Sequence, residues 1–191
     1  MRRRAIFALL ALAGCAAEAP NGLGSARLPR DATEGAGDPT RAAVSRADFA
    51  LAVPERLAGR AGDAARVIAD MEFLAVQLPQ DPNFQQRDPL LPGQLAQARQ
   101  EWRQALGISP SQPVQPLIDG LYAFWRASQA QQGQAQQGMA AARAALPAGL
   151  LSTAGVARLN ALAPLPETGR AASAAARMLF QGPTPSGRRR L

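Results

Sequence analysis

Apolar residues recur along this chain in steps of three and four, the spacing that lines one face of an α-helix, and no strand run interrupts them. The clearest stretch runs from Pro54 to Leu78, where Leu57, Ala61, Ala64, Ile68, Met71, Ala75 and Leu78 form one stripe. Pro54 suits a first helical turn, and Glu55 beside it favours the helix dipole. Arg56, Arg60, Asp63, Arg66 and Asp70 fall on the far side and predict a solvated face of paired charges. Beyond Met71 the pattern changes. Met71, Phe73, Leu74, Val76 and Leu78 point in nearly every direction, so that half is expected to be the buried core helix of the domain.

Weaker stripes flank it. Thr40 is positioned to cap a helix from Arg41 to about Val53, with Ala43, Phe49 and Ala50 inward. Leu95, Ala98, Trp102 and Leu106 share a face between Pro92 and Leu106, with Gly107 as the stop. A helix from about Pro113 to Gln129 carries Val114, Leu117, Ile118, Leu121, Trp125 and Ser128, with Tyr122 and Phe124 at its edges. Gln-Ala-Gln-Gln-Gly then occurs twice over, a polar low-complexity stretch before a small helix from Met139 to Leu146. Ser152 or Thr153 opens a helix to about Leu162, and Thr168 caps a last one through Phe180, packed through Ala172, Ala175 and Ala176. The expected fold is all-α, a bundle of five to seven helices over residues 40–181. The stretch Pro79 to Gly93 is expected to be a loop, because its four prolines disfavour a regular helix.

Ahead of the bundle, Ala16 to Pro39 shows no period and holds only Leu23 and Leu28 as large apolar residues, which predicts a flexible tether over residues 15–39. Ahead of that stand Arg2, Arg3 and Arg4, nine apolar residues from Ala5 to Ala13, and Gly14-Cys15. Nine helical residues span about 13 Å against a hydrocarbon core of roughly 30 Å, so residues 1–14 read as an export signal and not as a membrane span. Leu12-Ala13-Gly14-Cys15 resembles the lipobox of bacterial lipoproteins. The resemblance implies a diacylglyceryl group on the Cys15 thiol, cleavage before Cys15 with Leu12, Ala13 and Gly14 as the peptidase's recognition residues, and a home at the periplasmic face of a bacterial membrane. Ala16 in the place where an Asp retains some such proteins at the inner membrane favours the outer one. With two or more acyl chains the anchor is firm, since each buried methylene adds about 0.8 kcal/mol.

Composition then removes options. All 21 basic residues are Arg, and the chain has no Lys, no His and one Cys. Zinc sites with nitrogen and sulfur ligands, Ser-His-Asp and Cys-His catalysis, Schiff bases and P-loop phosphate binding all lack their residues. No metal or cofactor is therefore expected, and the function is read as non-catalytic. The net charge of +7 is concentrated in two triplets, Arg2–Arg4 and Arg188–Arg190. The body between them, with 15 Arg against 14 acidic residues, is nearly neutral and gives no footprint for nucleic acid.

Four features remain as candidate sites. Phe73 and Phe84 are read as a partner surface for another envelope protein, although Phe84 can equally pin its loop to the helices. Trp102 and Trp125 are where a pocket for a small apolar ligand is expected, which would make the protein a carrier. Asp81, Asp88, Glu101 and Asp119 are the carboxylates open to a hydrolase reading, with no spacing that sets two of them across a cleft. Arg188, Arg189 and Arg190 close a Pro/Gly/Ser-rich segment, residues 182–191, expected to be disordered and suited to touch an anionic surface or to stay solvated.

Overall fold

The computed structural model describes residues 24–33, 37–130 and 135–180. Eight α-helices and no strand are found among them, so the fold is all-α. The residues expected to form an export signal and lipobox, Cys15 included, and the Arg188–Arg190 triplet lie outside the described residues.

Helix α1 (Pro39–Leu51) begins at Asp38 and not at Thr40: the Asp38 carboxylate accepts from the Thr40 amide at 2.9 Å, and Pro39 takes the first helical position. It turns Ala42, Ala43, Val44 and Ala47 inward, while Phe49, expected inside, is 65% exposed beneath the Arg56 guanidinium. The next helix does not start at Pro54. Pro54–Leu57 is a single 3-10 turn, and Gly59, at φ +72°, takes a left-handed backbone that stops it. Helix α2 (Ala61–Gln77) follows, with fourteen of its seventeen residues buried. A helix buried all round must be the centre of the fold. It packs against α1 and against α4 (Leu91–Leu106), α5 (Val114–Ala130) and α7 (Thr153–Asn160), while α6 (Ala135–Ala145) rides on α5 and α8 (Pro166–Phe180) closes over α1 and α4.

The proline-rich stretch is helical where a loop was expected: α3 (Pro82–Arg87) occupies its middle. The prolines do not prevent this, because Pro82 and Pro92 stand in the first turns of α3 and α4, where no amide is needed. Asp81 supplies the α3 cap, accepting from the Asn83 amide at 2.9 Å. Helix α4 stops at Gly107, at φ +70°, as its position after the apolar stripe implied. Ser152 caps α7 through the Gly155 amide, and α8 is capped from another helix: Glu101 of α4 accepts from the Glu167 and Thr168 amides and from the Thr168 hydroxyl.

Part of the segment expected to be a tether packs on the bundle. Residues 24–33 are laid along the domain as a strap, with Ala26 and Ala32 buried. Side chains of the bundle hold its backbone: Gln80 donates to the Gly24 carbonyl, Gln77 to Ala26, Gln115 to Arg27 and Arg46 to Ala32, the last at 2.6 Å. A segment without periodicity can still be fixed when the surface beneath it supplies the hydrogen bonds.

Helices α2 and α5 meet at Gly62, where a Cβ would lie 2.9 Å from Ser128 Cβ and closer still to its hydroxyl. Gly62→Ala is expected to cost about 1–2 kcal/mol, overpacking outweighing the gain in helix propensity. In a Ser128→Gly background most of that cost should vanish, as a urea-denaturation double-mutant cycle would measure.

Candidate functional site

Two acids sit on α2 where no solvent reaches them. Asp70 and Glu72 are each 0% exposed. Two residues apart on a helix, they point about 200° from one another, so each must be compensated by a different set of neighbours. An unpaired carboxylate in such a place would cost several kcal/mol.

Glu72 faces α4. Its Oε1 accepts from the Trp102 indole at 2.8 Å and from Arg103 Nε at 2.6 Å. Its Oε2 accepts from Arg103 Nη2 at 2.9 Å and from Arg99 Nε at 3.0 Å. Four donors fill the four lone-pair sites of a carboxylate. Arg103 is itself buried, and its remaining Nη1 donates to the carbonyls of Ser109, Pro110 and Gln112, which ties the turn after α4 to the same point.

Asp70 faces α1 and α5. Arg46 grips it side-on, Nε to Oδ2 at 2.8 Å and Nη2 to Oδ1 at 3.0 Å, and the Tyr122 hydroxyl donates to Oδ1 at 2.6 Å. Arg46 Nη2 also donates to the Tyr122 oxygen at 3.1 Å, closing a ring of bonds. Burial pushes the Asp70 carboxyl up from the ordinary carboxylate range, against the pull of Arg46 and Tyr122. Burial lowers Arg46, but its bond to Asp70 and the nearby charge hold it above the usual arginine value. Burial, then the Asp70 charge, raises the Tyr122 phenol. Beside this ring the Arg66 guanidinium lies 3.9 Å over the Trp125 ring, and its buried Nε meets no acceptor among the described residues. The solvated face expected for Arg66 and Asp70 is therefore wrong for both: Asp70 is buried and its partner is Arg46, not Arg66.

Neither acid can reach a substrate, yet the Glu72 cluster floors a groove. The groove encloses about 700 Å³ between the end of α2, the following turn and α4, walled by Ala75, Pro79, Pro92, Ala96, Ile108 and Pro110. Arg99, Gln100, Arg103 and Gln104 add its polar groups.

The sequence-derived candidates land differently. Phe73 is only 4% exposed and so offers no partner surface. Phe84 is half-buried against the core, the loop-pinning alternative. Trp102 is fully buried on Glu72, and Trp125 lies against Tyr122 and Arg66; neither lines the groove, which is therefore not the expected Trp102–Trp125 pocket. Asp81 caps α3, Asp88 accepts from the Leu90 amide, Glu101 caps α8 and Asp119 accepts from Gln115. Among the described residues no three His, Cys, Asp or Glu cluster as metal ligands would, and no helix is long and apolar enough to cross a membrane. No protein-family model, no curated protein and no solved structure matches the chain.

Removing one partner from a buried pair strands the other, so Glu72→Gln and Asp70→Asn should each destabilise the fold by about 3–5 kcal/mol in urea. Tyr122→Phe, which removes the bond donated to Asp70 and the one accepted from Arg46, should cost about 1–3 kcal/mol.

The strap carries a pH signature. Asp31 is held below the usual carboxylate range by its hydrogen bonds from Arg126, at 2.5 and 2.7 Å. A lowered folded pKa stabilises above the unfolded value of about 3.9 and ceases to do so as the pH falls through the folded one. Wild type should accordingly melt above Asp31→Asn at neutral pH, and the two melting curves should converge in acid below that value.

Proposed function

We propose that this chain is a lipid-anchored lipoprotein of the bacterial envelope, facing the periplasm, whose helical domain is a non-catalytic binding module. The lipobox-like Leu12-Ala13-Gly14-Cys15 supports the anchor, and Ala16 favours the outer membrane. The observation that carries the binding role is the groove beside Glu72. It is preformed and mostly apolar, with a few polar groups converging on it, and its volume falls in the range of about 300–1,000 Å³ usual for small-molecule sites. Its floor is held by the Glu72 hydrogen bonds, so binding carries little ordering cost.

Between a scaffold for an envelope protein and a carrier of a small apolar ligand, the groove favours the carrier. The hydrolase reading loses support, because the four carboxylates left to it are engaged on separate elements.

A photo-reactive residue at Gln100 or Gln104, both exposed at the groove, tests the role in intact cells. An adduct of defined mass at these positions, absent with the same label at exposed Arg143, is expected; unmodified protein at both would overturn the binding role. Cys15→Ser is expected to abolish acylation and membrane fractionation, and an acylated mutant in the membrane fraction would refute the anchor.

A further inference from the structure

Arg99 distinguishes this groove from a purely apolar one. Its Nε is engaged by Glu72, while its two terminal nitrogens meet no acceptor among the described residues, and its side chain keeps 14% of its exposure. The other groove arginine is committed: every nitrogen of Arg103 donates to Glu72 or to a backbone carbonyl. Two guanidinium groups face one carboxylate, which leaves a net positive charge on the floor of a half-enclosed apolar channel. The free end of Arg99 is the planar fork that matches a carboxylate bidentately.

We propose that the groove holds a single-chain amphiphile with an anionic head, an alkyl carboxylate, with the head on the terminal nitrogens of Arg99. Its chain lies along Ala75, Pro79, Ala96 and Ile108. An alkyl carboxylate of about fourteen heavy atoms fills roughly 400 Å³ at about 30 Å³ each, which the groove accommodates. Charge complementarity selects this occupant over a neutral apolar one, since a neutral head leaves the Arg99 fork without a partner in a partly dry place. This inference rests on the groove being the binding site and adds the chemistry of its occupant.

Isothermal titration of the full chain, carrying Cys15→Ser so that it is unacylated, tests it with dodecanoate and dodecanol. Dodecanoate is expected to saturate one site and to bind roughly tenfold or more tighter than dodecanol, the scale of a charge-assisted hydrogen bond. Arg99→Gln should bring dodecanoate down to the level of dodecanol. Gln104→Glu, at an exposed position apart from the Glu72 partners, should weaken dodecanoate alone, so the head-group test survives even if Arg99→Gln fails to fold. Ala96→Trp, filling the groove from an exposed position, should abolish both. Equal binding of the two probes to wild type, or dodecanoate binding that survives Ala96→Trp, would overturn the proposal. Equal binding that Ala96→Trp removes, or a cellular adduct at Gln104 without preference for dodecanoate, fails this inference and leaves the binding role standing. No binding together with no adduct fails both.

Discussion

Two carboxylates on a helix with no solvent around it impose a constraint that the rest of the fold has to meet. Asp70 and Glu72 must be compensated by groups from other elements, because their own helix offers only its saturated backbone. Arg46 of α1, Tyr122 of α5, and Arg99, Trp102 and Arg103 of α4 meet it. Hydrogen bonds of 2.6–3.0 Å leave little freedom in how those three helices sit against α2. Much of the surrounding core is alanine, including Ala43, Ala47, Ala64 and Ala65, and such small side chains interlock weakly. In this chain the polar clamps supply the registration that larger apolar residues supply elsewhere.

The clamps also explain why a chain without lysine works. Arg46 and Arg103 each meet their acid with two parallel bonds and use a further nitrogen on backbone carbonyls, at Ala32 and at Ser109 to Gln112. A lysine ammonium has no planar fork and could not join a second helix, a carboxylate and a loop in one geometry. Through these outer bonds the strap and the turn after α4 become part of the core, and the groove inherits a stiff floor.

Much of the helical framework was legible in the pattern of apolar residues. The stripes of α2, α4 and α5, the stop at Gly107 and the cap at Ser152 follow from periods and end signals that act within a few residues. What was not legible depends on partners far along the chain. Arg66 stands four residues before Asp70 and looks like its surface partner, whereas the real one, Arg46, lies 24 residues away. Glu72 pairs with a side chain 31 residues on. One signal was present: Glu72 interrupts the run Met71-Glu72-Phe73-Leu74, and Arg99 and Arg103 border the apolar stripe of α4. A charge inside an apolar run calls for an opposite charge on the facing helix. The strap had no such signal, since apart from the Asp31–Arg126 pair its hydrogen bonds to the bundle are made by its backbone, and the groove arises only where α2, α4 and the turn after it converge.

Arginine side-chain NMR puts the clamps to the test most directly, because no lysine or histidine signals intrude. The Nε–H protons of Arg46, Arg99 and Arg103 and the indole N–H of Trp102 should exchange with solvent far more slowly than the Nε–H of exposed Arg143. Exchange of the Arg46 and Arg103 protons as fast as that of Arg143 would mean that the two acids are not held as described, and that the bundle is organised around something else.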